Sequence, residues 1–243
     1  STMNFIFKSV FMAFHLLLAL ILCIAMIVLP KNIHHLLIQY WAKRLLRILK
    51  IKITLNGEAL KLLSKDSYLI VSNHISWLDI PVIFSLKPVT FVSASDVKTW
   101  PIIGMLAKIS GAIFVDRNRK SNLPDVIQAM NHHFLNEKQS ICIFPEGITS
   151  NGYQVLPFKS SLFQSAFEAD KLLLPLSIKY KENKVLTNRT SFHGSTTLLQ
   201  SFKRVAKSNQ IEVILHIGHP VKPSQSRKDL SLKLQEAIAL KIN

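Results

Sequence analysis

Cysteine, glycine and acidic residues are all scarce in this chain of 243 residues. Its two cysteines, Cys23 and Cys142, lie in apolar stretches without the spacing of a metal site or a redox motif, so we interpret both as small core residues and expect no disulfide. The seven glycines form no phosphate-binding loop, which argues against nucleotide hydrolysis. The histidines show no metal-ligand spacing with nearby acids, so no metal site is expected.

Basic residues outnumber acidic ones by more than two to one. The chain has 30 lysines and arginines but 14 aspartates and glutamates, which gives a formal net charge of +16 and a pI near 10.0. Such a charge favours an anionic partner, which is a nucleic acid, an anionic membrane surface or an acidic substrate. The mean hydropathy of +0.26 is high for a nucleic-acid-binding protein. A chain both apolar and basic is typical of a membrane surface, so we expect membrane lipids and no nucleic acid as partners.

The N-terminal part of the chain carries two segments typical of membrane attachment. The stretch from residue 5 to residue 29 is almost continuously apolar, with Lys8 and His15 as interruptions, and is long enough to cross a hydrocarbon core of about 30 Å. Pro30 ends it. An amphipathic helical pattern follows over residues 33–49, with charge supplied by Lys43, Arg44, Arg47 and Lys50.

This membrane segment allows three interpretations. A cleaved signal peptide is disfavoured because no small-x-small cleavage site precedes Pro30. A transmembrane anchor would place the following domain in the cytoplasm, because the basic residues come after the apolar segment. A two-helix module lying in one leaflet fits the same pattern, and these last two alternatives stay open. In both we expect a membrane module over residues 3–50 and a second domain over residues 51–243, at the cytoplasmic face of the inner membrane.

Beyond residue 50, strand-like and helical patterns alternate. Apolar runs bounded by Gly, Pro, Ser or Asp predict strands at residues 51–55, 68–72, 90–94, 112–116, 140–144, 172–179 and 211–217. Helical patterns lie between them at residues 76–84, 101–108, 124–136, 160–169, 196–206 and 228–242. This alternation predicts an α/β fold, in which helices flank a mostly parallel central sheet behind an N-terminal membrane-embedded helical module.

The run 73–79 places a histidine and an aspartate directly after a predicted strand. A histidine held by a carboxylate can take a proton from an alcohol near neutral pH. In a regular helix, residues five apart lie about 140° apart, so His74 and Asp79 can meet only if His74 precedes the helix and Asp79 lies on its second turn. Asn73 and Ser76 are candidate caps of that helix. On its own the pair is a weak signal, because an ordinary loop histidine followed by a helix-surface acid gives the same pattern.

Three further blocks follow this N-H-x-S-x-x-D run in a fixed order, at residues 111–117 (GAIFVDR), 144–147 (FPEG) and 173–176 (LLPL). Together the four blocks, over roughly residues 68–178, resemble the glycerolipid, or lysophospholipid, acyltransferase family, and the N-terminal module resembles that family's too. The resemblance implies acyl transfer from a thioester to an alcohol on a lysolipid. The implied co-substrate is acyl-CoA or an acyl carrier protein, and no cofactor is implied.

The resemblance also assigns roles to residues. It makes His74 the general base and Asp79 the carboxylate that orients it, with backbone N–H groups near the start of the next helix as candidates to stabilise the oxyanion. It assigns acceptor binding to the second and third blocks and to the lysine downstream of them, through Arg117, Glu146, Gly147 and Lys159.

Two departures from the family pattern concern the acceptor. The third block usually continues F-P-E-G-T-R-S, but here it reads F-P-E-G-I-T-S, so Thr149 stands where the family typically has an arginine for the acceptor phosphate. The later F-K-x-G reads F-K-S-S, which keeps Lys159 but loses the glycine. Lysophosphatidate, converted to phosphatidate in phospholipid biosynthesis, stays first by its frequency in the family. Lyso-ornithine lipid is the alternative, because residues 147–150 together with residues 156–163 resemble the branch that acylates it.

A function of another class also stays open. The same composition fits a basic membrane-binding scaffold without catalysis, which would bind lipid but consume no thioester.

Overall fold

The computed structural model describes residues 2–56, 61–62, 67–100, 102–116, 119, 122–224 and 226–242. The strands are β1 (Ile51–Asn56), β2 (Leu69–Ser72), β3 (Thr90–Ala94), β4 (Ile113–Val115), β5 (Ile141–Ile143), β6 (Leu173–Glu182), β7 (Val185–Leu186) and β8 (Ile211–Ile217). The helices are α1 (Thr2–Val28), α2 (Lys31–Leu49), α3 (Asp79–Leu86), α4 (Ile103–Ile109), α5 (Leu123–His132), α6 (Gln164–Glu168), α7 (Leu198–Lys207) and α8 (Arg227–Ala239).

The strands form one sheet in the order β1-β8-β6-β2-β5-β3-β4, and β7 pairs with β6. From β6 through β2, β5 and β3 to β4, every neighbouring pair is parallel. The direction changes at β8, which runs antiparallel to β6 and parallel to β1. The predicted α/β fold with a mostly parallel sheet and flanking helices is therefore confirmed.

Apolar layers cover both faces of the sheet. Helices α1, α2 and α3 pack on one face, and α5, α6 and α8 pack on the other. Strand β2 supplies both layers, because Ile70 joins the first and Leu69 and Val71 join the second. A central strand buried on both faces reads as a continuous apolar run, which is why the sequence pattern located it. Cys23 and Cys142 are buried in this core with free thiols, as predicted.

Helix α1 has one side against the protein and one side exposed. It is long and apolar enough to cross a membrane, judged by length and composition. Its buried stripe consists of Lys8, Met12, His15, Ala19, Cys23 and Met26. Its exposed side is apolar and includes Ile6, Phe7, Val10, Phe14, Leu17, Ile21, Ile24 and Ile27. Where α2 meets α1, the ring of Trp41 stacks on His15, with ring centroids 4.6 Å apart.

Asn73 joins the end of β2 to β6. Its amide Nδ2 donates to the carbonyl oxygen of Ile178 at 2.9 Å, and its Oδ1 accepts from the backbone N–H of Ile178 at 2.8 Å. The expectation that Asn73 caps a helix is therefore wrong, because both ends of its amide are used across the sheet. Ser76 lies in the turn before α3, where its Oγ accepts from the N–H of Leu78 at 3.2 Å, but the N-cap residue of α3 is Leu78 and no side chain caps the helix.

Replacing Asn73 with alanine would leave the buried N–H and C=O of Ile178 without these partners. We expect Asn73→Ala to lower the free energy of unfolding by roughly 2–4 kcal/mol. Thermal unfolding in detergent measures the change. The control is Asn136→Ala, whose amide donates to His132 at the surface, with an expected change within about 0.5 kcal/mol. Equal effects of the two substitutions would contradict this role of Asn73.

Candidate active site

His74 and Asp79 meet at the end of β2. The Nδ1 atom of His74 lies 2.7 Å from Oδ2 of Asp79. His74 lies in the loop before α3, as predicted, but Asp79 is the first residue of α3 and not part of its second turn. The carboxylate is fully buried, whereas the imidazole keeps 15% of its side-chain surface exposed. A substrate can therefore reach the histidine but not the aspartate.

Four donors surround the Asp79 carboxylate. Its Oδ2 accepts from the backbone N–H groups of Ile75 at 2.7 Å and Ser76 at 3.0 Å, in addition to His74. Its Oδ1 accepts from the hydroxyl of Tyr180 at 2.7 Å. Burial, together with the adjacent carboxylate, raises the pKa of Tyr180, so its hydroxyl keeps its proton. The carboxylate is thus held in one position by the loop, by β6 and by the histidine.

The sequence reasoning missed Tyr180, although one signal pointed to it. Tyr180 continues the apolar alternation of β6 on the face that carries Leu174 and Leu176. A buried tyrosine hydroxyl needs a hydrogen-bond partner. The partner could not be named without knowing that β6 lies beside β2.

The hydrogen bond to Asp79 fixes the proton on His74. Because a carboxylate only accepts, Nδ1 carries the hydrogen and Nε2 of the neutral ring is left with its lone pair. The ring of Phe144 stacks on the imidazole, with centroids 4.0 Å apart and an angle of 14° between the planes. Behind it, Phe91 stacks on Phe144 at 6.0 Å. The imidazole is therefore oriented by an ionic partner at its edge and an aromatic ring on its face.

Glu146 supports the backbone of the histidine loop. Its Oε1 accepts from the N–H of His74 at 2.6 Å, and its Oε2 accepts from the N–H of Leu156 at 2.8 Å. Burial raises the pKa of Glu146 from 4.5 to about 7, although these two bonds act in the opposite direction. Both oxygens are used within the protein, so Glu146 is placed to hold the loop.

Gly147 and Lys159 lie side by side next to this loop. Gly147 closes the turn after β5 with a positive φ of 75°, and a Cβ atom there would lie 3.1 Å from Nζ of Lys159. The backbone N–H of Lys159 donates to the carbonyl oxygen of Pro145 at 2.9 Å. Gly147 thus leaves room for an exposed ammonium group beside the site. Arg117, the remaining predicted site residue, lies outside the described residues.

Thr149 is bound to the backbone of a neighbouring loop. Its hydroxyl donates to the carbonyl oxygen of Phe192. The N–H of Phe192 donates to the carbonyl oxygen of Ile75 at 2.9 Å, and the N–H of Ser150 donates to that of His74 at 2.8 Å. The segments that contain Ser150 and Phe192 therefore both bind the histidine loop. The uncharged side chain of Thr149 joins these two segments to each other.

The expected oxyanion donors at the start of α3 are used within the protein. The N–H groups of Ile75 and Ser76 bind Asp79, and that of Leu78 binds Oγ of Ser76. The N–H of Asp79 binds the carbonyl oxygen of Ser76 at 3.1 Å. The expectation that these groups stabilise an oxyanion is therefore wrong for these four residues. Within the described parts of the chain, no group of three or more His, Cys, Asp or Glu side chains could hold a metal ion.

Comparisons with known proteins agree with this architecture. A family model described as Acyltransferase matches residues 52–179. A lyso-ornithine lipid O-acyltransferase of Pseudomonas aeruginosa is 32% identical over 206 residues, which cover 84% of this chain and 77% of that protein. A 1-acyl-sn-glycerol-3-phosphate acyltransferase of Neisseria meningitidis serogroup B is 35% identical over 176 residues, 71% of this chain and 68% of that protein.

One solved structure shares the fold. The crystal structure of the 1-acyl-sn-glycerophosphate (LPA) acyltransferase, PlsC, from Thermotoga maritima matches with a TM-score of 0.73 over 99% of this chain and 94% of that one. The sequence identity is 17%, so this likeness concerns the fold.

The pKa of Glu146 makes stability depend on pH. Between pH 4.5 and about 7 the folded state keeps a proton that the unfolded state has lost, so stability falls as pH rises through that window. The fall amounts to about 3 kcal/mol. We expect Glu146→Gln to remove this part of the pH dependence, measured as unfolding midpoints in detergent from pH 4.5 to 8. The exposed Glu168, replaced by glutamine as a control, should leave the slope as in the wild type. A slope unchanged in Glu146→Gln would contradict the raised pKa.

Proposed function

This chain belongs to the acyltransferase family whose model matches residues 52–179, and on that premise we propose that it transfers a fatty acyl group from an acyl thioester to a hydroxyl group of a lysolipid. The observation that carries this proposal is the 2.7 Å contact between His74 and a fully buried Asp79, with part of the imidazole exposed. The family model and the relatives confirm the family resemblance seen in the four sequence blocks.

The geometry supports a direct transfer between the two substrates. Nε2 of His74 takes the proton of the acceptor hydroxyl as its oxygen attacks the thioester carbonyl, and Asp79 stabilises the imidazolium that forms. The C–O bond forms, the C–S bond breaks, and the imidazolium returns its proton to the departing thiolate. Because a thiolate leaves readily, no acyl group needs to be held on the protein. Tyr180 acts indirectly, by fixing the free oxygen of Asp79.

The identity of the acyl donor is also part of this proposal. An acyl-CoA or an acyl carrier protein supplies the thioester, and the mechanism above needs no further cofactor. Lys159, whose side chain is exposed next to Gly147, holds an anionic part of a substrate, a role that the family resemblance also gives to Arg117.

The position of α1 favours attachment within one leaflet over a membrane crossing. Helix α2 lies along the domain, where His35 contacts Gln139 at 2.6 Å and Gln39 donates to Ser85 at 3.2 Å. Helix α1 packs on α2 and is tied to the domain near its start by Lys8. A helix held along the domain in this way exposes one apolar side to lipid. We propose that residues 3–50 form the membrane module and residues 51–243 the catalytic domain, and that the protein works at the cytoplasmic face of the inner membrane.

Thr149 bears on the choice of acceptor. The family's arginine at this position would add a cation for a phosphomonoester, but Thr149 is neutral and bound to the backbone of Phe192. Lyso-ornithine lipid has a zwitterionic headgroup and a hydroxyl on its acyl chain, so one ammonium group such as that of Lys159 matches its carboxylate. The Pseudomonas relative, which aligns over 84% of this chain, carries that activity in its name. We therefore place lyso-ornithine lipid before lysophosphatidate, reversing the order that family frequency alone gives.

Lysophosphatidate stays the second candidate. The relative from Neisseria meningitidis, 35% identical over 71% of this chain, is named for that acceptor. The exposed ammonium of Lys159 beside Gly147 fits a phosphate as well as a carboxylate.

A scaffold without catalysis fits the site less well. A buried carboxylate costs free energy unless it is paired, and here the loop, Tyr180 and His74 are arranged to hold it. Lipid binding alone makes no use of this arrangement.

Removal of the base tests the reaction. We expect His74→Ala to lower kcat by about 100- to 10,000-fold with little change in the KM for the acceptor, because the proton acceptor is lost while the binding residues stay. Release of the free thiol of CoA or carrier protein, measured in detergent, reports the rate. His132→Ala, which removes an exposed histidine distant from His74 in the sequence, serves as the control. Full activity in His74→Ala would exclude it as the base.

A panel of acceptors tests the headgroup. We expect turnover of lyso-ornithine lipid to exceed that of lysophosphatidate and of other lysophospholipids. Thr149→Arg should raise kcat/KM for lysophosphatidate about tenfold, because a charge-assisted hydrogen bond to phosphate becomes available. Thr149→Gln is the matched control, since it is long and polar but uncharged. A wild-type protein that prefers lysophosphatidate would show the acceptor assignment to be wrong.

A further inference from the structure

Helix α7 has one buried face and one exposed basic face. Its buried residues are Ser201, Val205 and Ala206. On the exposed side, Leu199, Lys203 and Lys207 follow one another at intervals of four residues and form a stripe. Leu199 is 60% exposed and stands in line with these two lysines. No acidic residue lies within α7 to neutralise the stripe.

The C-terminal end of the stripe lies beside the first turns of the membrane helix α1. The ammonium of Lys207 lies 5.8 Å from the ring centroid of Phe5. At the end of α7, the carbonyl oxygen of Ser208 accepts from the buried Nζ of Lys8 at 2.7 Å. The exposed apolar side of α1 begins at these same turns, with Ile6, Phe7 and Val10. The basic stripe of α7 therefore ends beside the first turns of α1, where the exposed apolar side of α1 begins.

An exposed leucine in line with lysines, beside an exposed apolar helix, is typical of a helix at a membrane interface. The cations match anionic headgroups, which attract basic residues close to the membrane surface. We propose that α7 is a second membrane-contact element, in which Leu199 enters the boundary of the acyl chains and Lys203 and Lys207 bind the phosphate oxygens of anionic phospholipids. This inference rests on the membrane attachment proposed above but does not depend on the acyl-transfer reaction.

The contact has a consequence for the site, because α7 also touches both loops around His74. The indole N–H of Trp77 donates to Oγ of Ser201 at 3.1 Å. A guanidinium N–H of Arg204 donates to the carbonyl oxygen of Ser191 at 2.7 Å, and Ser191 precedes Phe192, which binds the histidine loop. A helix resting on the headgroups would thus set the height of the histidine loop above the acyl chains.

Spin labelling of the full chain in vesicles tests the contact. The two native cysteines are buried, so Leu199→Cys supplies an accessible thiol for a nitroxide. Leu232→Cys is the matched control, because Leu232 is 48% exposed on α8, which packs on the opposite face of the sheet. In vesicles of phosphatidylglycerol and phosphatidylcholine, we expect position 199 to be protected from a water-soluble nickel chelate and open to oxygen, and position 232 to show the reverse. Equal access of the chelate to both positions would overturn the proposal.

A second pair of variants tests the role of the charges. Lys203→Gln with Lys207→Gln should lose the protection of position 199, as should vesicles of phosphatidylcholine alone. Lys228→Gln with Lys233→Gln removes as many exposed charges from α8 and should change nothing. If position 199 stays protected both in the Lys203→Gln, Lys207→Gln variant and in vesicles of phosphatidylcholine alone, the proposed headgroup contact is wrong. Because label accessibility needs no turnover, failure here and loss of the proposed acyl transfer are distinguishable.

Discussion

The buried carboxylate of Asp79 is the constraint on which the site depends. A charge removed from water is costly unless donors surround it, and Asp79 draws them from the loop after β2, from His74 and, through Tyr180, from β6. The start of α3, the course of the loop and the register of β2 with β6 must therefore all be correct at once. The orientation of the imidazole follows from that single requirement.

Local patterns in the sequence predicted most of the fold and the centre of the site. The apolar runs located every described strand except the short β7, and the order of the four blocks singled out His74 and Asp79. What they missed depends on pairing between distant segments. Asn73 was expected to cap a helix because it precedes one, but the position of β6 beside β2 gives its amide a partner more than a hundred residues away. The same pairing, unknown from sequence, brings Tyr180 to Asp79.

The polar side chains around His74 are of two kinds: some bind the protein backbone, and one is exposed. Glu146 and Thr149 stand in the block that the family resemblance assigns to the acceptor, yet their side chains bind the protein backbone. Lys159 instead presents its charge outward, over a glycine whose missing side chain makes the space. The side chains of Glu146 and Thr149 therefore support the loop of His74, whereas the charge of Lys159 is left to meet a group outside the protein.

The packing of α2 has a practical consequence for handling the protein. Leu45, Leu46 and Leu49 of this helix belong to the same apolar cluster as Ile70, Leu176 and Leu215 of the sheet. Truncating the chain at residue 50 to obtain a water-soluble fragment would uncover that cluster along one whole face. Such a fragment would expose apolar residues that are buried in the whole protein. Expression trials should therefore keep the N-terminal helices and use a detergent to keep the protein in solution.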